Sequence, residues 1–260
     1  MDELKSVRLN MSIPFAFGWY GSELGAYRPC KSTYEVYSYE SLPPIPKADP
    51  QFTFLALDEP VEKAPPVNDW ERAEWRKLER LIQETKSLGI VLPDPFLHFM
   101  SDARLQGQII SSTCCWFNLS NRLVRCPGFD GAYLISFLRD QQDCVVWCLC
   151  LIPGRQYYVL AVDDDALMTL SSAEYHVLLG NLEPDEESGD IFAEASRASS
   201  ADNVAETART NIWICAPSFE SFIYRFWFEN EVANKFDPCE NTLLAPLSDA
   251  ERRYLEHYTG

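Results

Sequence analysis

Nine cysteines (Cys30, Cys114, Cys115, Cys126, Cys144, Cys148, Cys150, Cys215 and Cys239) and three histidines (His98, His176 and His257) are the side chains here with the reactivity for nucleophilic or metal chemistry. A structural or catalytic zinc needs histidines and cysteines at short, repeated spacings. No histidine stands at such a spacing from another histidine or a cysteine, and there is no C-x-x-C pair. A cysteine–histidine nucleophilic pair depends on proximity in space, so an enzyme of that kind is one alternative. The triplet Asp163-Asp164-Asp165 has the hard oxygens a cation wants, but lacks the spaced ligands and turn glycine of a calcium loop. It reads more simply as a turn that caps the helix after it. No Gly-rich phosphate loop, G-x-S-x-G elbow or dinucleotide fingerprint is present. With 39 acids in the chain, pairs of carboxylates carry no information about acid–base catalysis. The expectation is a chain that is not an enzyme and has no metal or cofactor.

The elements that position these residues must come from a chain of 260 residues, 47% hydrophobic, enough for one substantial core. The longest apolar run, 145–152, has the length of a strand rather than a membrane span. The N-terminal residues lack a basic start followed by an apolar stretch, so no secretory signal is expected. An odd number of cysteines set mostly in apolar runs fits reduced thiols acting as small hydrophobes in a cytoplasmic protein. The triplets at Asn10 and Asn118 that match a glycosylation site are then coincidental. The net charge is −17. Residues 163–209 hold 12 acids against Arg197 and Arg209, a local charge of −10. Such a field repels nucleic acid and anionic lipid and draws cationic partners during encounter.

Residues 1–66 carry nine of the 17 prolines and no helical period, and read as an extension packed on the core, with short strands at 34–39 and 52–57. The remainder, 67–260, opens with a helix. Asn68 and Glu71 form its capping box, Trp75, Leu78, Leu81, Ile82 and Leu88 share one face, and Gly89 stops it. Asp94 is expected to cap a second helix with Pro95 at its first position. Strands are expected at 109–112, 114–117, 132–138, 144–151 and 157–161, joined by turns short enough for an antiparallel meander. The segment 145–152 is apolar on both faces and should be a central strand covered on both sides. A helix over 171–179, a mobile acidic loop over 183–209, a strand at 212–216 and two helices opened by Ser218 and Ser248 complete the reading. The second of these has Glu251 as its capping-box partner and runs to Tyr258. Tyr224, Trp227 and Phe228 are too many aromatics for one buried helix face, so some are expected to meet the N-terminal extension or a partner.

The order of three short motifs is informative: Glu84-Thr85-Lys86-Ser87-Leu88-Gly89, then Leu92-Pro93, then Phe96-Leu97-His98-Phe99. Together with 134–140, 142–151 and the FESFIYRFWFENE stretch at 219–231, it resembles the SUKH superfamily, which includes fungal cell-wall-assembly regulators and many bacterial immunity proteins. One departure is Ser101-Asp102-Ala103-Arg104, where the family often has an Asn-Gly turn. The resemblance covers about 70–260. It implies an α+β domain, a mostly antiparallel sheet flanked by helices, that binds another protein without catalysis and commonly neutralises a toxin. A basic toxin, such as a nuclease, suits a chain this acidic. The expected contact residues are Asp163, Asp164, Asp165, Glu183, Asp185, Glu186, Glu187 and Asp190. Alternatives are a regulatory scaffold with several weak partners and the cysteine–histidine enzyme.

Overall fold

Valines, leucines and thiols that alternate without a polar break make Val145–Leu151 a strand, β6, that water touches on neither side; all seven of its residues are buried. The computed structural model describes residues 13–55, 68–181, 201–237 and 242–259. Among them, eight strands form one mixed sheet and eight helices flank it, an α+β architecture. The strands are β1 (Ala16–Gly21), β2 (Glu35–Ser38), β3 (Trp116–Phe117), β4 (Val124–Arg125), β5 (Tyr133–Arg139), β6, β7 (Tyr158–Asp163) and β8 (Ile212–Ala216). Their order is β2-β1-β8-β7-β6-β5-β3, with β4 also paired to β5. The stretch β5-β6-β7 is the antiparallel meander that its short turns require, with Trp147 opposite Ala161. The exception to antiparallel pairing is β1 on β8, parallel, with Ala16 beside Trp213.

Because side chains alternate across a strand, β6 feeds two cores. Val145, Trp147, Leu149 and Leu151 join one, under α1 (Asp69–Ser87), α2 (Asp94–Met100), α3 (Ala103–Gly107) and α7 (Phe219–Ala233). Val146, Cys148 and Cys150 join the other, under α4 (Asp164–Leu167), α5 (Ser172–Leu178) and α6 (Ala201–Asn211). Helix α1 begins where Asn68 accepts from the Glu71 amide at 2.8 Å and ends at Gly89, whose φ of +69° lets the chain turn left-handed. Capping boxes open α5 at Ser171–Glu174 and α8 (Asp249–Glu256) at Ser248–Glu251.

Several expectations need correcting. Residues 109–112 are not a strand: Ser112 is tied to Asn230, which accepts from its amide at 2.7 Å, and that contact claims the backbone a ladder would need. The strand expected over 114–117 shortens to β3, because Cys114 takes a positive φ. Phe52 likewise sits at φ +55° in a turn closed by Asp49, so the strand expected from 52 does not form; 56 and 57 lie outside the described residues. Pro93, not Asp94, is the N-cap of α2, and Asp94 is its first residue. Leu88 leaves the apolar face of α1 because it is the C-cap, and is exposed. The last turn of α8 stops at Glu256 rather than Tyr258. Residues 201–209 belong to α6 rather than to a loop, and 183–200 lie outside the described residues.

Two buried polar clusters tie distant segments. Lys77, on α1, donates to Glu74 at 2.8 Å, Asn118 at 3.1 Å and the Gly180 carbonyl at 3.3 Å. Asn118 in turn donates to the Leu179 carbonyl at 2.7 Å, so its amide is spent inside the fold. In the second cluster, Glu229 of α7 accepts from Arg28 at 2.7 and 2.6 Å, from the Trp19 indole at 2.7 Å and from the Tyr254 hydroxyl at 2.6 Å. Arg225, one turn earlier, donates to Tyr254 at 2.6 Å and to the Pro43 carbonyl at 2.9 Å. The surplus aromatics of α7 find a use nearby: Phe54 lies 5.0 Å from Tyr224 and 4.9 Å from Trp227, ring centre to ring centre.

Candidate functional site

The acidic triplet stands where β7 ends. Asp163 is the last residue of the strand and the N-cap of α4, accepting from the Ala166 amide at 3.1 Å, as a short oxygen side chain at that position does. Asp163 is buried, while Asp164 and Asp165 project into solvent. Glu183, Asp185, Glu186, Glu187 and Asp190 lie outside the described residues.

The sheet adds two acids to this place that the linear pattern does not suggest. In the β6–β7 register Val145 faces Asp163, and the Asp164 amide donates to the Cys144 carbonyl at 3.1 Å. The turn leading into β6, residues 140–144, therefore lies beside the triplet. Asp140 organises that turn by accepting from the Gln142 amide at 3.2 Å and the Cys144 amide at 2.8 Å. Asp143 takes a φ of +57°, a conformation short polar side chains tolerate, and faces the Arg139 guanidinium at 3.3 Å. Arg139 is itself held, 4.7 Å over the Trp116 ring and donating to the Leu179 carbonyl at 2.7 Å.

Asp140, Asp143, Asp163, Asp164 and Asp165 thus crowd one corner of the sheet, with Arg139 as a fixed cation at its edge. Burial pushes the Asp163 carboxyl up to about 6, and the charges of Asp164 and Asp165 add to the push. Burial also raises Asp140, with Asp143 contributing. Tyr20 of β1 lies in the same field: burial, then Asp163 and Asp164, raise its hydroxyl to about 12. Its ring is 5.5 Å from Trp213 and 5.6 Å from Tyr34. An aromatic wall beside a cluster where carboxylates outnumber cations is chemically suited to a cationic side chain. Among the described residues, no group of histidines, cysteines and acids has the arrangement to hold a metal ion.

The raised Asp163 has a measurable consequence. Its folded form keeps a proton up to about pH 6, whereas an unfolded aspartate releases it near pH 4. The folded state binds more protons in that window, so this residue's contribution to stability falls as pH rises from about 4 to about 6. Asp163→Asn retains the capping oxygen and removes the titration. The variant should gain on the wild type across that interval by about 1–2 kcal/mol in denaturant melts. A difference that stays flat with pH would contradict the assignment.

The histidines sit elsewhere. His98 stacks on Phe52, His176 meets Tyr175 edge to face, and His257 contacts the Ser41 carbonyl at 3.2 Å. Among the described residues, none is hydrogen-bonded to a cysteine. No helix among the described residues is long and apolar enough to cross a membrane. Compared with known proteins, the chain matches no family model, no curated protein and no solved structure.

Proposed function

We propose that this chain is a non-enzymatic protein-binding module of the immunity type, which docks a basic toxin against the acidic corner and so blocks it. The observation that carries the reading is the convergence of five aspartates from two separate chain segments, two of them, Asp164 and Asp165, exposed to solvent. Like charges held this close cost stability, and the field they generate steers a cationic partner from a distance. Nucleases are the toxin class whose surfaces must be basic, because they hold phosphate backbones. The resemblance of the motifs from Glu84 to Phe99 and at 219–231 to the SUKH superfamily supports the same reading, and a cytoplasmic site of action is part of the proposal.

The test is affinity capture from the cells that make the protein, using the wild type and an Asp164→Lys/Asp165→Lys variant, followed by association kinetics with the captured partner. One basic partner should bind, with an association rate that falls roughly tenfold or more on charge reversal and again at high salt. A rate and affinity indifferent to both would remove the acidic corner from the binding surface. Capture of several weak partners, none basic, would favour a regulatory scaffold instead.

A further inference from the structure

We propose that Cys114 and Cys115 form a redox-responsive dithiol, which a low-molecular-weight disulfide closes to a disulfide between neighbouring residues, and that this closure loosens Tyr34 from the sheet. The proposal does not depend on the identity of any binding partner.

The pair sits where three segments meet. Cys114 is exposed and has a φ of +57°, a conformation that a cysteine adopts at a cost of about 1–2 kcal/mol. In a regular strand neighbouring side chains point to opposite faces; the left-handed residue breaks that alternation just before β3 begins. The turn that imposes this conformation is strongly held. The Ser111 hydroxyl accepts from the amides of Thr113 at 3.2 Å and Cys115 at 2.9 Å, and Asn230 accepts from the Ser112 amide at 2.7 Å. Cys115 is half-buried, its sulfur 3.3 Å from the Tyr34 hydroxyl and 3.4 Å from the Thr113 hydroxyl. Tyr34 packs edge-on against Trp147 at 5.9 Å and beside Tyr20 at 5.6 Å.

These surroundings give the two thiols different roles. Burial pushes the Cys115 thiol above its ordinary range, so the exposed Cys114 makes the first attack. Its thiolate displaces one thiol from the small disulfide and leaves a mixed disulfide on Cys114. The Cys115 sulfur then attacks the Cys114 sulfur and expels the second thiol. Two protein thiols are oxidised, one small disulfide is reduced to two thiols, and the two protons lost by the cysteines pass to the leaving thiolates. The eight-membered ring that results is strained, and strained disulfides are the readily reduced, reversible ones. Within it the Cys115 sulfur no longer has a proton to share with Tyr34 and is drawn toward Cys114. The remaining described thiols are placed differently: Cys126, Cys148, Cys150 and Cys215 are buried in the cores, Cys30 pairs with the Tyr37 hydroxyl at 2.8 Å, and partial burial, then the carboxylates of Asp140, Asp164 and Asp143, raise the Cys144 thiol.

The full-length protein, incubated with oxidised glutathione, alkylated, digested and weighed, tests this. The peptide containing both cysteines should lose two hydrogens and carry no glutathione. The near-ultraviolet circular dichroism from Tyr34 and Trp147 should change with it and return on adding a dithiol reductant. Cys115→Ser should stop at a stable glutathione adduct on Cys114. A wild-type protein that itself stops at that adduct, pairs Cys114 with another cysteine, or stays fully reduced overturns the proposal. The wild-type mass decides the closure, and an unchanged wild-type circular dichroism on closure overturns the loosening of Tyr34, so both results stand even if the variant misfolds.

Discussion

Glu229→Gln should lower the stability of this protein by about 3–5 kcal/mol, the cost of leaving a buried charge without its counter-charge. Arg28 and Arg225 are both buried, and Glu229 is the acid placed between them, bonded to Arg28 through both oxygens. Burial by itself drives the Glu229 carboxyl up, but the guanidiniums of Arg28 and Arg225 and the Tyr254 hydroxyl outweigh it and hold the group below the usual glutamate range. A depressed carboxyl stabilises the fold above its unfolded value, near pH 4.3, and withdraws that stabilisation as pH falls through the folded value. The wild type should therefore lose stability steeply below pH 4, and the variant, already without the charge, much less so. In thermal melts near neutral pH the difference should be roughly 10 °C. Arg28→Met placed on top of Glu229→Gln should recover part of the loss, because it removes the stranded cation. A Glu229→Gln protein that melts within about 2 °C of the wild type would mean the network does not hold these segments together.

Phe219→Ala attacks the fold by a different route. This ring, fully buried at the start of α7, is 5.1 Å from Phe96, 5.1 Å from Phe137, 5.7 Å from Phe99 and 6.2 Å from Phe52. Those four rings belong to α2, β5 and the N-terminal segment, so one side chain joins elements from across the chain. Truncation forfeits the transfer energy of the ring and leaves a cavity that rigid aromatic neighbours cannot fill, a loss of about 3–5 kcal/mol. Chemical denaturation should show the transition moving to lower denaturant with its slope unchanged. Phe219→Leu should retain most of the stability. A loss below about 1 kcal/mol for the alanine variant would show that the surrounding rings close the gap.

What could be read from the sequence was what local chemistry decides. The capping patterns at Asn68 and Ser248 need only residues three apart, and both mark helix starts, with the full reciprocal box at Ser248 and the side-chain half of it at Asn68. The unbroken apolar run of β6 announces a strand covered on both sides. Strand β1 was not legible: two glycines in AFGWYG weaken its signal, and its pairing is supplied by β8 from far along the chain. Gly18 is nonetheless required there, because a Cβ would come within 2.9 Å of the Trp213 ring. Helix α6 is Ala-, Thr- and acid-rich and looks polar; its packing depends on Ala208 seated against Gly128, a contact of small residues that no periodicity reveals. At the candidate site the Asp163–Asp165 triplet stands out by charge alone. Asp140, Asp143 and Tyr20 join it only through strand register, which is a tertiary property.

The parallel seam between β1 and β8 also sets an order of events. Trp19 and its partner Glu229 are separated by 210 residues, and β1 has no place in the sheet until β8 has been laid beside β7. Closing so long a loop is slow, since the entropy of bringing its ends together is spent before any contact returns it. On the ribosome the meander β5-β6-β7 can assemble from neighbours, while β1, with only β2 at hand to pair with, waits for β8 for nearly the whole of synthesis. During that interval Phe17, Trp19 and Tyr20 lie on a strand whose β8 edge is open, the kind of segment that chaperones bind. Trp19 fluorescence should accordingly be among the last signals to reach its native value on refolding.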